Sequence, residues 1–272
     1  MNQSKLFVNL IILVYLKIFI IINNIMIKFI IILLIIFSIK YTFDNTNGYD
    51  LLEYINYINK PFCENKVYHD TRNKKWCIEL RNNWTDIRDE YIEYCKDNKL
   101  NRFKDIDSNQ DDFDLGDKGW FVVFLKVYGS YTKLTFKFPK TYELIKKIPG
   151  CTLAMFSIVE AGKVIPDHHG PYNGVLRYHL CLITDKDNPD NCYIVVNNIK
   201  YVWKEGRDVL FDDFMSHCVV NITNATRVVL FLDIKKEFNN IFINLINTLF
   251  LLVGNENITK ETIIKKTNST LK

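Results

Sequence analysis

The sequence predicts a mainly β protein, a sandwich or jelly roll with helices on either side and an apolar segment at its N-terminus. Three observations carry this. Short runs rich in β-branched and aromatic residues recur between residues 120 and 234, separated by Gly, Pro, Asn and Asp clusters. Amphipathic helical spacings precede and follow them. A long apolar run opens the chain. With 272 residues, 48% hydrophobic and 24% charged, the chain can bury a sizeable core, which excludes global disorder. A net charge of +4 with no basic block gives a nucleic-acid role no electrostatic support.

The chain divides into 1–40, 41–116, 117–236 and 237–272. Leu6 to Ile39 is apolar apart from Lys17, Lys28 and three Asn. A membrane span needs about 20 mostly apolar residues, and Ile18–Ile39 supplies 22 with one charge, Lys28. This reads as an uncleaved single-pass anchor through residues 6–39. The rivals are a signal peptide beginning near Met26, although no small-residue cleavage site follows, and a buried core helix. Region 41–116 is polar and mostly helical. Leu80, Trp84, Ile87, Tyr91 and Cys95 fall on one helix face, and Asn98–Gly116 is an Asp-rich connector. Region 117–236 holds strands at Trp120–Tyr128, Thr132–Phe138, Leu153–Val159, Leu176–Ile183, Cys192–Val196 and Val228–Ile234, with one helix at Tyr142–Ile148. Region 237–272 begins with an amphipathic helix, Phe238–Val253. It sets an Ile/Leu/Phe face against Asn239, Asn240, Asn244 and Asn247, and either packs on the domain or lies on a membrane.

Candidate chemistry concentrates in the strands. His168, His169, His179 and His217 occupy three separate places within 50 residues. Imidazole suits Fe, Zn, Cu and Ni, and without C-x-x-C spacing a closed Zn site is a poor fit. Two His distant in sequence can converge on one metal at a barrel mouth. In the His-x-Asp…His triad of non-haem Fe(II) oxygenases a carboxylate stands two residues after the first His. Here that position is Gly170, which leaves two protein ligands and open positions for a chelating acid and water. Arg177 and Arg227 are strand arginines suited to a carboxylate.

Taken in order, these residues resemble the aspartyl/asparaginyl β-hydroxylase family. The match runs through Phe156-Ser157, Gly162, Pro166, His168-x-Gly170-Pro171-x-Asn173, Leu176-Arg177-x-His179-Leu180, Trp203-x-Glu205-Gly206, Phe211-Asp212-Asp213-x-x-x-His217 and Arg227-Val228-Val229-Leu230 with Asp233. Upstream, Leu80-x-x-x-Trp84-x-x-Ile87-x-x-Glu90, Gly119-Trp120 and Pro139-x-Thr141 fit as well. The resemblance implies a double-stranded β-helix, a cupin-like jelly roll, using Fe(II), 2-oxoglutarate and O2. It implies His168 and His217 as iron ligands, and Trp120, Ser157, Arg177, His179 and Arg227 as holders of 2-oxoglutarate. The Gly170 substitution is then a family trait, His169 is not a ligand, and Asp212 or Asp213 either orients a ligating His or shapes the turn. The implied reaction hydroxylates the β carbon of an Asp or Asn side chain in a protein or peptide, converting 2-oxoglutarate to succinate. The alternatives are the same chemistry on a lipid acyl chain, or a binding protein that has lost activity.

Seven Cys permit disulfides without indicating a pairing. Six N-x-S/T sequons (Asn2, Asn83, Asn221, Asn224, Asn257 and Asn268) suggest a glycoprotein. With the anchor, they suggest a catalytic domain in the lumen of the secretory pathway.

Overall fold

A computed structural model describes residues 49–253 and 258–269. The apolar N-terminal segment and the sequons at Asn2 and Asn257 lie outside the described residues. Among the described residues no helix is long and apolar enough to cross a membrane.

Twelve strands run in chain order: β1 Tyr68–His69, β2 Asn101–Arg102, β3 Trp120–Val127, β4 Ser130–Tyr131, β5 Cys151–Val159, β6 Lys163–His168, β7 Val175–Ile183, β8 Cys192–Val196, β9 Ile199–Val202, β10 Asp208–Phe211, β11 His217–Asn221 and β12 Arg227–Lys235. They form an eight-stranded sheet, β1-β10-β7-β12-β5-β3-β2 with β4 on β3, and a four-stranded sheet, β6-β11-β8-β9. The antiparallel pairs nest within one another: β5 with β12, β6 with β11, β7 with β10, and β8 with β9. A long hairpin folded over in this way is the double-stranded β-helix.

The helices explain why the central strands read as continuous apolar runs. Leu80 of α2 (Lys75–Asn82, after α1 at Tyr49–Asn59) and Ile87, Tyr91 and Tyr94 of α3 (Trp84–Asp97) cover the outer face of the large sheet. They pack there on Phe156, Tyr178, Leu180 and Leu230. The inner face packs Phe124, Met155 and Val229 on Ile165, Ile194 and Val219 of the small sheet. Strands covered on both faces lose polar alternation.

Several expectations change. The helix face from Leu80 to Cys95 is split at Asn83, whose side-chain amide donates to Glu79 O (2.8 Å) and ends α2. Thr132–Phe138 is not a strand but a 3-10 turn over Lys133–Lys137. Thr132 Oγ1 and Thr135 Oγ1 donate to the carbonyls of Phe124 and Leu125, competing with ladder pairing. The Asp-rich connector is partly ordered, by the short helix α4 (Phe103–Ile106) and by Asp114, which is fully buried and paired with Arg102 and Lys163. The helix expected at Tyr142–Ile148 is α5, Pro139–Ile145, with Pro in its first turn where the missing N–H costs nothing.

The C-terminal part carries α6 (Ile241–Val253) and α7 (Ile258–Asn268). The faces of α6 match the expectation in part: Phe238, Leu249 and Phe250 are buried and Asn239 is exposed, but Asn247 is buried, while Ile241, Phe242, Leu245 and Leu252 face solvent. The cysteines of the structure are unpaired. Asn221 is fully buried, and its amide donates to Val159 O, Glu160 O and Ala225 O, so its sequon is closed to a glycan in the folded chain.

Candidate active site

His168 ends β6 and His217 begins β11, and the two are direct cross-strand partners. Their ring centroids lie 4.2 Å apart. Each ring makes the same local contact, His168 Nδ1 to Pro166 O and His217 Nδ1 to Met215 O, both at 2.8 Å. A carbonyl can only accept, so Nδ1 carries the proton and Nε2 keeps its lone pair in both rings. Burial lowers the pKa of both, that of His217 to about 3, so the rings are neutral. Neutral imidazole with Nδ1 anchored and Nε2 free is the metal-binding form.

Asp213, four residues before His217, is buried, with Oδ1 3.3 Å from His217 Nε2. Two acceptors at that separation need a proton or a cation between them. Burial raises the Asp213 pKa, and Arg177 opposes this by donating to its Oδ1. Gly170 N donates to Asp213 O (2.8 Å), and a Cβ at position 170 would overlap the Asp213 carboxylate. The glycine thus makes room for a carboxylate delivered from the neighbouring strand connection. Asp212 does something else: it accepts from Phe214 N (3.2 Å) and pairs with Lys236 Nζ (2.8 Å), shaping the turn. His169 is exposed, with its ring centroid 6.1 Å from that of Phe214. Among the described residues no group of three or more His, Cys, Asp or Glu is placed to hold a metal, so two imidazoles with Asp213 behind them are what this chain offers.

The second half of the site is borne by the large sheet. Trp120 Nε1 donates to Ser157 Oγ at 2.9 Å, linking β3 to β5. Arg227 on β12 is fully buried with no carboxylate partner. Its one hydrogen bond is a long one to Ser157 O (3.4 Å), and its Nε has no partner. Burial lowers its pKa to about 10. Both ring nitrogens of His179 and the Nε1 of Trp203 are also buried without partners. The Arg227 guanidinium stacks on Trp203 at 4.5 Å. An unpaired buried cation costs several kcal/mol, and a bound dicarboxylate would pair with it and accept from the one N–H of neutral His179. The void that Arg227 and His179 enclose with His168 and His217 measures about 20 Å³, so such an acid would displace side chains on entry.

Arg177 differs from the expectation that it acts jointly with His179 on one anion. Its Nε and Nη2 bond the two oxygens of Asp233 (3.0 and 3.2 Å), and its Nη1 bonds Asp213. Both His179 and Arg177 do reach the same void, but three of the five N–H donors of Arg177 are committed to Asp213 and Asp233. Trp203 is the residue that reading by type missed, although it stood within the Trp203-x-Glu205-Gly206 match. Only the packing shows that its indole forms the floor beneath Arg227.

A larger cavity of about 200 Å³ opens beside His168. Its walls include Phe113, Trp120, Met155 and Tyr172, closed by Leu251 of α6 and Ile263 of α7. Arg177 is the sole Lys or Arg lining it.

Residues 81–237 match the family model described as aspartyl/asparaginyl β-hydroxylase, well over half of the chain. The chain belongs to the aspartyl/asparaginyl β-hydroxylase family. An ornithine lipid ester-linked acyl 2-hydroxylase of Rhizobium tropici is 40% identical over 178 residues, covering 65% of this chain and 63% of that protein. Human aspartate β-hydroxylase domain-containing protein 2 is 34% identical over 125 residues, covering 42% of this chain and 33% of its own length. Human aspartyl/asparaginyl β-hydroxylase is 32% identical over 162 residues, 57% of this chain and 20% of that protein. The chain therefore spans less than two thirds of each of these relatives. Among solved structures, a predicted oxalate decarboxylase from Thermotoga maritima aligns with 52% of this chain and 96% of its own at 12% identity and a TM-score of 0.33. The double-stranded β-helix rests on the strand order above.

Proposed function

We propose that this member of the family is an Fe(II)- and 2-oxoglutarate-dependent hydroxylase of a lipid acyl chain. The observation that carries the reading is the cavity beside His168, walled mainly by apolar and aromatic side chains, with Asp107, Gln110 and His169 among its polar members, and closed by Leu251 and Ile263 of the C-terminal helices. An Asp side chain as substrate would need a free cation there, and the sole lining Arg, Arg177, is held by Asp213 and Asp233. The 40% identity to an acyl 2-hydroxylase supports the same reading.

When bound, the iron and 2-oxoglutarate supply the oxidant. One O2 and one 2-oxoglutarate convert C–H to C–OH, with succinate and CO2 as co-products. His168 and His217 would hold the metal through Nε2, fixed in that tautomer by the carbonyls of Pro166 and Met215. Arg227, His179, Ser157 and Trp120 would bind the dicarboxylate. Arg177 orients Asp213 toward His217. The apolar walls would align an alkyl segment and exclude water.

The test is incubation of the full chain with Fe(II), ascorbate and 2-oxoglutarate, offering acyl-ester lipids and Asp/Asn peptides in parallel. Succinate formation with one oxygen added to an acyl chain is expected. Oxygen added to the Asp or Asn of a peptide, with lipids unmodified, returns the chain to peptide hydroxylation.

A further inference from the structure

α6 buries Ile243, Leu249 and Phe250 yet also leaves apolar side chains in solvent. Its 13 residues include no charge; of its three polar side chains Asn247 is buried, and Asn244 and Thr248 are half-buried and hydrogen-bonded within the protein. Asn247 accepts from Tyr172 Oη (2.5 Å) and donates to Gly174 O and Lys236 O (both 3.0 Å). Asn244 bonds the backbone of Phe238. Thr248 donates to Asn244 O and accepts from Lys235 Nζ. Facing outward are Ile241, Phe242, Leu245 and Leu252, exposed at 79%, 72%, 36% and 62%. At 3.6 residues per turn these four fall within an arc of about 100°. On a helix facing water that arc carries the polar residues.

We propose that this stripe docks on a phospholipid bilayer, with α6 lying in the headgroup boundary. Two features single out a bilayer. Leu251, beside Leu252 in sequence, lines the cavity that reaches His168, so one helix separates the exposed stripe from the candidate active site. On the acyl-chain reading above, on which this point rests, substrate leaves the bilayer along that helix. The second feature is the chain outside the described residues. The apolar run 6–39 ends ten residues before α1, a reach of at most about 36 Å. α1 is tied through Asn56 and Asn59 to Pro171 and Asn173, and Tyr172 between them bonds to Asn247 of α6. A membrane-inserted N-terminal run would thus hold this same rim at the bilayer.

The experiment uses the full chain in phosphatidylcholine vesicles, with Phe242→Trp on the stripe and Ile199→Trp on the exposed turn of the small sheet as its counterpart. The emission added by Phe242→Trp is expected to be blue-shifted and mostly lost when the vesicles carry lipid with a nitroxide near the headgroup. That added by Ile199→Trp should be unchanged. Equal responses of the two variants, or a chain that does not associate with the vesicles, would overturn the proposal. So would a blue shift that depends on protein concentration in detergent and persists without quenching in vesicles, since the stripe would then belong to a second copy. Quenching requires no turnover, so docking stands or falls separately from the acyl substrate.

Discussion

On the proposed reading the His168–His217 pair would hold a metal through Nε2, because each imidazole is anchored through Nδ1 to a carbonyl two residues back. Replacing either by Ala is expected to abolish Fe(II) binding and turnover, whereas His169→Ala, altering an exposed ring, should bind metal normally. Equilibrium dialysis of the three variants checks this, and a wild-type affinity in either ligand variant would remove that residue from the site. Titration follows from the same burial. The His217 pKa falls from the ordinary 6.5 to about 3 in the folded state, burial being the main cause. Between those values the unfolded chain takes up a proton that the folded one refuses. Metal-free protein should therefore lose stability as pH falls from about 6.5 toward 3, by up to about 1.4 kcal/mol per pH unit for this group, with no contribution above that window. Denaturant melts in chelator at pH 7 and 5 should show the drop, and His217→Gln should lessen it by this group's share, since burial lowers the His168 and His179 pKa values in the same direction. Arg227 tests the other half. Arg227→Met exchanges an unpaired buried cation for an apolar side chain of similar length. Its melting temperature should be no lower than wild type without ligand, while binding of 2-oxoglutarate is lost. Undiminished 2-oxoglutarate affinity would place the co-substrate elsewhere.

At the scale of elements, what the sequence reveals depends on which sheet a strand joins. β3, β5, β7 and β12 stand out as apolar runs because helices cover one face and the small sheet covers the other. β6 and β11 carry both metal-site histidines, yet no strand is predicted for them from pattern. Their outer face is wet, and β6 reads Lys-Val-Ile-Pro-Asp-His. The site residues are legible by type and order, but the engagement of Arg177 by two carboxylates and the stacking of Trp203 under Arg227 exist only in three dimensions. Periodicity located α6 and the burial of Phe238, Leu249 and Phe250, but it put Asn247 on the wet side, because a count of apolar positions assumes that Asn seeks water. Asn247 instead joins α6 to Tyr172, Gly174 and Lys236. Asn247→Leu removes those bonds, although Gly174 O still accepts from Lys236 N, and should cost about 1–3 kcal/mol. A melt indistinguishable from wild type would mean that α6 is not held by that hub.

Across the whole molecule the two halves of the site ride on different sheets. His168 and His217 belong to the four-stranded layer, and Trp120, Ser157, His179 and Arg227 to the eight-stranded one. The packing between layers, with Ile194 among its fully buried members, sets one half against the other together with the Asn221–Val159 and Arg177–Asp213 hydrogen bonds. Ile194→Ala should destabilise the fold by about 2–5 kcal/mol, and its sharper signature should be kinetic. Succinate should accumulate in excess of hydroxylated product, measured by quantifying both in one reaction. A ratio equal to wild type would show that the layers hold register without that side chain. On the proposed reaction the sandwich core would act as a coupling spring: its stiffness would set the fidelity with which each co-substrate consumed is matched by an oxidised substrate, and slack far from the reacting atoms would appear as wasted turnover.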